Sequence, residues 1–193
     1  MKCWRQSSAG SKVDGVADSS SSFVRLVARF RVGLGFLSGI AVFWFARPTR
    51  LSIAAGLPIA IAGELLRIWA AGHLNKSREV TRSGPYRFVA HPLYLGSSLI
   101  GAGLAVGSGS VVVVAIVAAY LLVTLTAAIK NEEAFLREEF GGAYDEYRVQ
   151  RVVDRERPFS WPRAMGNREY QAAIGVVLAL LLLVWKATYN GMF

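Results

Sequence analysis

Residues 51–96 have the sequence LSIAAGLPIAIAGELLRIWAAGHLNKSREVTRSGPYRFVAHPLYLG. The part from 51 to 72 is almost wholly apolar and long enough for a helix that crosses the hydrocarbon core of a bilayer. A polar stretch then leads to Tyr86, His91 and Tyr94, at the start of the next apolar segment. Ionisable residues at membrane depth are costly and tend to mark sites. These residues therefore predict a membrane helix with a functional site at its mouth, as in a membrane enzyme.

Four more apolar segments lie outside this one, at 30–46, 93–107, 111–129 and 172–185. The chain has 193 residues, of which 53% are hydrophobic. We therefore expect an all-α integral membrane protein, a bundle of about five transmembrane helices. The short turn at 107–110 predicts a tight hairpin of the third and fourth helices, whose small residues allow close approach to a helix or a ligand. Glu64 and Arg67, three residues apart, are expected to pair on one helix face.

The chain divides into three parts by composition. Residues 1–22, rich in serine and glycine, predict a disordered tail. Residues 23–171 form the expected core, with four helices and a cytoplasmic amphipathic segment. Residues 172–193 are an extra C-terminal helix, for which two uses stay open, packing on the bundle and self-association. If the fourth helix continues beyond the membrane, Glu132 and Glu133 share one face with Ile129 and Leu136.

The net charge of +9 does not indicate nucleic-acid binding, because the basic residues do not form one patch. Most lysines and arginines lie in the tail, in the loop after the second segment and after the fourth, whereas the opposite side holds only Arg47, Arg50 and Lys186. The positive-inside rule then places the N-terminus and the site in the cytoplasm. Cys3 is the single cysteine, and neither histidine has a second ligand nearby, so we expect no metal site.

The motif residues suit a nucleoside-type cofactor that carries both charge signs. Pro92 is well placed in a first helical turn, whose exposed N–H groups can receive a carboxylate or phosphate. Tyr86 and Tyr94 offer hydroxyls and ring faces to a flat heterocycle. Glu132 and Glu133 offer acceptors to an ammonium group or to ribose hydroxyls. Each feature alone also has a structural explanation; their order across one hairpin favours a site.

The segments GPYRFVAHPLYLG (84–96) and NEEAFLREEFGGAYDEYRVQR (131–151) together resemble the isoprenylcysteine carboxyl methyltransferase family, which is related to the phospholipid methyltransferases. The similarity covers about 65–158. It implies a membrane enzyme that uses S-adenosylmethionine and a lipophilic methyl acceptor, with a cytoplasm-facing cofactor pocket that the amphipathic segment after the fourth helix closes. The cofactor residues it implies are Tyr86, His91, Pro92, Tyr94, Gly96, Gly101, Gly103, Glu132, Glu133, Tyr144 and Tyr147. The catalytic residues are Arg87, Glu133 and Arg151.

The sequence departs from the family pattern at two points, and the first of them concerns the acceptor. Ala90 stands where the family commonly has a basic residue before His-Pro, and Arg87, one helical turn away, is a candidate substitute. The last apolar segment has no counterpart in the resemblance. Because no dedicated base is evident, a carboxylate or thiolate acceptor is favoured over an amine.

Two other functions remain open at this point. Membrane sterol-type reductases share a similar His-Pro motif and acidic positions, and they bind NADPH. Lys76, Arg78 and Arg82 would then supply a phosphate-binding cluster. The third hypothesis is a non-catalytic membrane scaffold. It is supported by Ala90, which replaces the basic residue that the family commonly has before His-Pro.

Overall fold

The computed structural model describes residues 33–75, 81–140 and 157–191. These residues form helices and no strand, which confirms the all-α class. The helices are α1 (Gly33–Phe45), α2 (Arg50–His73), α3 (Pro92–Gly107), α4 (Val111–Phe140), α5 (Trp161–Gly166) and α6 (Glu169–Tyr189), with a 3₁₀ turn at Gly84–Arg87. The predicted tail, and Tyr144, Tyr147 and Arg151 of the amphipathic segment, lie outside the described residues.

Three of these helices, α2, α4 and α6, are long and apolar enough to cross a membrane. The apolar helices α1 and α3 are shorter. The 16 residues of α3 span about 24 Å, less than the hydrocarbon thickness of about 30 Å. A membrane protein is therefore indicated, whereas the count of five spans stays a prediction. The expected continuation of the fourth helix is confirmed, because α4 runs unbroken to Phe140.

Helix α2 packs most extensively against the antiparallel α3, through small residues on both helices. A Cβ atom on Gly103 would lie 2.5 Å from the Ala60 nitrogen, and one on Gly63 would lie 2.7 Å from the Gly96 carbonyl oxygen. Backbones this close tolerate no side chain between them. Gly101 instead faces α4, where its Cβ would lie 2.7 Å from a methyl group of Leu121. The small residues of α3 thus serve helix packing, chiefly with α2.

The segment before α6 caps the C-terminal end of α2. The Arg163 guanidinium donates to the Gly72 carbonyl at 2.7 Å, and the Ser160 N–H donates to the same oxygen at 3.2 Å. The Asn167 amide donates to the carbonyls of Ala71 and Leu74, each at 2.9 Å. The last carbonyls of a helix have no partners within it, so these bonds satisfy groups that would otherwise be orphaned. The C-terminal part is therefore joined to the bundle.

The expected pair of Glu64 with Arg67 is wrong. Arg67 forms a two-pronged ion pair with Glu169, with Nε–Oε1 at 2.6 Å and Nη2–Oε2 at 3.2 Å, and it donates to Ser97 at 2.5 Å. The Glu64 oxygens are buried without a hydrogen-bond partner in the described parts of the chain. The reason is that α6 begins beside α2, where the Glu169 carboxylate matches the fork of the guanidinium.

The other end of α6 is also attached. The Lys186 ammonium donates to the carbonyls of Phe43 and Trp44, the latter at 3.1 Å, and lies 4.8 Å from the Phe43 ring centroid. These carbonyls belong to the last turn of α1, where a cation is favoured. Of the two uses open for the last helix, packing on the bundle is thus observed.

Candidate functional site

His91 lies at the junction between a turn and the start of α3. It is the residue before Pro92 and has φ −129° and ψ 66°, outside the helical region, as a residue before proline prefers. Its carbonyl accepts the N–H groups of Tyr94 at 3.2 Å and Leu95 at 3.1 Å, which begins the helix. Pro92 is fully buried in this first turn. The backbone therefore holds His91 at the rim of the bundle.

The two adjacent glutamates of α4 reach His91 from the neighbouring helix. Nε2 of His91 lies 3.4 Å from Oε1 of Glu133, and Nδ1 lies 3.7 Å from Oε2 of Glu132. The exposed fractions of the side chains are 16% for His91, 17% for Glu133 and 40% for Glu132. The cluster is thus half-enclosed, with Glu132 turned most toward solvent.

The pKa of His91 is raised above its usual value of 6.5. The polar contact with Glu132 is the largest cause, although Glu133 lies nearer, and the charges of both carboxylates add to it against the effect of burial. The two carboxylates therefore favour the protonated form of the imidazole. In that state it is a cation between two anions and a poor proton acceptor.

Two tyrosines of the motif lie beside this cluster along the chain. The ring centroid of Tyr94 is 5.7 Å from that of His91, with the planes tilted by 40°. Tyr86 is buried in the 3₁₀ turn, with 7% of its surface exposed. The arrangement brings an aromatic face, a cation and two carboxylates to one end of the bundle.

A large apolar cleft lies between the helices of the bundle. Its volume is about 1140 Å³, and its walls come from α1, α4 and α6. Among its few polar lining residues are Ser97 of α3 and Asn131 of α4. Asn131 directly precedes Glu132 in the sequence, whereas His91, Glu132 and Glu133 are not among the residues that line the cleft. The sequence analysis did not identify Asn131 or Ser97 as candidate site residues. The signal that could have identified Asn131 is its position as a polar residue at the end of an apolar helical segment.

The remaining predicted site residues fall into three groups. Gly96 and Gly103 lie buried between α3 and α2, and Gly101 contacts α4. Arg87 lines a different cavity, of about 510 Å³, together with Trp69, His73 and Arg157. Tyr144, Tyr147 and Arg151 belong to the part of the chain that the structure does not describe. The structure thus brings together His91, Tyr94, Glu132 and Glu133, and the roles of all these residues stay predictions.

Comparison with known proteins gives one family match and one curated relative of interest. The sequence model of the phospholipid methyltransferase family matches residues 37–143, more than half of the chain. The cobalt-zinc-cadmium resistance protein CzcN of Cupriavidus metallidurans is 32% identical over 87 residues, which cover 44% of this chain and 39% of the relative. The aligned part thus spans well under half of that relative's length. No solved structure matches significantly.

Proposed function

Because the chain belongs to the phospholipid methyltransferase family, we propose that it transfers a methyl group from S-adenosylmethionine to a lipophilic acceptor at the cytoplasmic face of the membrane. The match confirms the resemblance inferred from the His-Pro and Glu-Glu motifs. The observation that carries the proposal is the contact of His91, from the first motif, with Glu132 and Glu133, from the second.

The residues at this site fit the proposed cofactor. S-adenosylmethionine has two positive groups, a carboxylate, a ribose and an adenine ring, and it supplies an electrophilic methyl group when bound. Glu132 and Glu133 would accept from its ammonium group or its ribose hydroxyls, and Tyr94 would offer a ring face. The N–H groups in the first turn of α3 would receive the carboxylate. Tyr86, Tyr144 and Tyr147 complete the proposed cofactor set.

The apolar cleft supports a lipophilic acceptor that enters from the bilayer. Its walls exclude water, so an acceptor atom held near Asn131 would lose hydration, which favours the combination of opposite charges. Methyl transfer needs mainly the positioning of the reacting atoms. The raised pKa of His91 favours its protonated form, in which the imidazole cannot accept a proton. This supports an acceptor that is already anionic, a carboxylate or thiolate, with Arg87, Glu133 and Arg151 as proposed catalytic residues.

The first test is calorimetric titration of the detergent-purified full chain with S-adenosylhomocysteine and, separately, with NADPH. We expect micromolar binding of the former only. Glu132→Gln or Glu133→Gln should weaken it by about tenfold or more, because a charge-assisted hydrogen bond is lost. Glu138→Gln is the matched control, since Glu138 lies on the exposed surface of the same helix.

The outcomes of this titration separate the hypotheses. Binding of NADPH alone would support a reductase, and binding of neither compound would support a non-catalytic scaffold. Equal affinity in the parent and in both glutamate variants would remove Glu132 and Glu133 from the cofactor site, even if the protein is a methyltransferase.

A further inference from the structure

We propose that the apolar cleft takes one hydrocarbon chain of the methyl acceptor along α4, and that Tyr120 sets the longest chain that the cleft admits. This inference rests on the proposed function, because it concerns the cleft in which the acceptor is proposed to bind. The residues that carry it lie outside the proposed cofactor and catalytic sets.

One face of α4 lines the cleft over about three helical turns. Tyr120 is followed on this face by further lining residues at helical spacing, namely Thr124, Ala127, Ala128 and Asn131. We call these four residues the α4 stripe. Asn131 comes 11 residues after Tyr120, which corresponds to about 16 Å along the helix axis. The α4 stripe is therefore long enough to lie beside an extended hydrocarbon chain.

The α4 stripe is apolar except at one end. Its two alanines are small, and the Thr124 hydroxyl donates to the Tyr120 carbonyl at 2.6 Å, so this hydroxyl is satisfied within its own helix. Asn131 is polar and exposed at the end toward the C-terminus of α4. A polar group is costly to bury without a hydrogen bond, whereas a hydrocarbon needs no such partner. The pattern thus matches a chain on the alanines with its polar head at Asn131.

Tyr120 reaches across the cleft from α4 to α1. Its hydroxyl oxygen lies 3.3 Å from the position that a Cβ atom on Gly35 would take, and both residues line the cleft. The absence of a side chain on Gly35 therefore leaves space for the end of the tyrosine ring. The ring closes the α4 stripe at the end opposite Asn131.

The cleft continues on the other side of the Tyr120 ring. Phe43 and Leu182 line it there, at the end of the bundle where Lys186 bonds to the Phe43 carbonyl. Gly39, one turn after Gly35 on α1, also lines the cleft, and no atom of the described residues lies within 4 Å of its Cβ position. Unlike the glycines between α2 and α3, this glycine borders open space. Removal of the ring would join that space to the α4 stripe, so that a longer chain fits.

The test uses the full chain in bilayer nanodiscs and a series of fatty acids of graded length, each with a diazirine at the end of its chain. Illumination expels nitrogen, and the resulting carbene inserts into the nearest side chain, which mass spectrometry of the peptides identifies. Labelling counts as specific where an excess of unlabelled fatty acid removes it.

The position of the label measures how far the chain reaches. In the parent, we expect the longest chain that labels specifically to react beside Tyr120. In Tyr120→Ala, longer chains should label Phe43 and Leu182, whereas Tyr120→Phe keeps the ring and should behave like the parent. Tyr170→Ala is the matched control, because this exposed tyrosine of α6 does not line the cleft. A role of Tyr120 in packing alone would not move the label.

A second pair of variants keeps the test decisive if Tyr120→Ala fails to fold. Ala128→Leu places a larger side chain on the α4 stripe and should lower specific labelling by about fivefold or more, because the chain then meets an overpacked wall. Ala118→Leu makes the same change at an exposed position of α4 that does not line the cleft. It should leave the labelling unchanged.

The inference is overturned if unlabelled fatty acid suppresses no labelling of the parent, or if parent and Tyr120→Ala label the same residues at every chain length. Equal losses in Ala128→Leu and Ala118→Leu would also overturn it. Binding of S-adenosylhomocysteine is measured by calorimetry on the same preparations. Such binding without specific labelling would remove the chain site and leave the methyltransferase proposal standing. Specific labelling that moves in Tyr120→Ala, without such binding, would support the chain site and contradict methyl transfer.

Discussion

His91 combines two features at the scale of a single residue. It begins α3 through its backbone, and its ring lies between two carboxylates of α4. The first feature follows from the proline that comes next in the sequence. The second depends on the length of α4, because Glu132 and Glu133 reach the ring only if the helix continues beyond its apolar part.

The raised pKa of His91 makes stability depend on pH. The imidazolium form contributes stability that is fully present below about pH 6.5 and is lost as the pH rises through the raised pKa. We expect the thermal unfolding midpoint of the parent to exceed that of His91→Gln by roughly 1–4 °C at low pH, and the difference to vanish at high pH. The measurement is thermal unfolding in detergent across a pH series.

The control for this effect removes the partners of the histidine. In the Glu132→Gln, Glu133→Gln background, His91→Gln should no longer produce a pH-dependent difference. A difference between parent and His91→Gln that stays constant with pH would show that the ring acts only through packing.

Arg67 and Glu169 form the second residue-scale feature with a measurable consequence. Glu169 is 6% exposed at its side chain and Arg67 is 20% exposed. Removing one partner leaves a buried charge, so Arg67→Met or Glu169→Leu should lower the free energy of unfolding by roughly 3–5 kcal/mol. The double variant should recover most of that loss, as measured by denaturant unfolding in micelles. A double variant no more stable than either single variant would contradict this account.

At the scale of elements, the contact of α2 with α3 determines where the site lies. Both helices present small residues to each other, so their axes approach closely. The N-terminus of α3 is thereby placed beside the C-terminal half of α2, at the end that α5 and the start of α6 also reach. Gly96 and Gly103, which we predict to bind the cofactor, are also residues through which α3 contacts α2. Their role in cofactor binding stays a prediction.

The glycine contact predicts a sharp difference between two Gly→Ala substitutions. In Gly103→Ala the new methyl group would lie 2.5 Å from the Ala60 nitrogen, and backbone atoms cannot move aside without separating the helices. We expect a loss of about 1–3 kcal/mol, which is roughly 3–10 °C in the thermal unfolding midpoint. Gly175→Ala in α6 is the control, because nothing lies within 4 Å of its Cβ position. Similar midpoints for both variants would argue against the close contact.

At the scale of the whole molecule, functional groups concentrate at one end of the bundle. The His91 cluster, the cavity lined by His73 and Arg87, and the caps on α2 all lie at the end where α2 terminates and α3 begins. Apolar residues of α6, including Ile174, Leu178 and Leu181, are more than half exposed, as expected for contact with lipid. Self-association through this helix stays a prediction.

The proposed cytoplasmic orientation of the N-terminus has a direct test in the single cysteine. A membrane-impermeant maleimide should label Cys3 in inverted membrane vesicles and leave it unlabelled in intact cells, because the positive-inside rule keeps the tail in the cytoplasm. In a Cys3→Ser background, Arg50→Cys at the opposite end of the bundle should show the reverse pattern. Labelling of Cys3 from outside would invert the proposed topology and move the site to the other face.

The sequence by itself determined the membrane class, the extent of α2 and the start of α4, and it predicted that His91, Glu132 and Glu133 belong to one site. Hydropathy and helix-start signals act over a few neighbouring residues, so they can be recognised without knowing the fold. The tertiary structure decided which side chains are partners. Arg67 pairs with Glu169 rather than with Glu64, and Arg87 shares a cavity with Arg157, because those contacts depend on which helices pack together and at what distance. Local patterns along the chain contain no information on that choice.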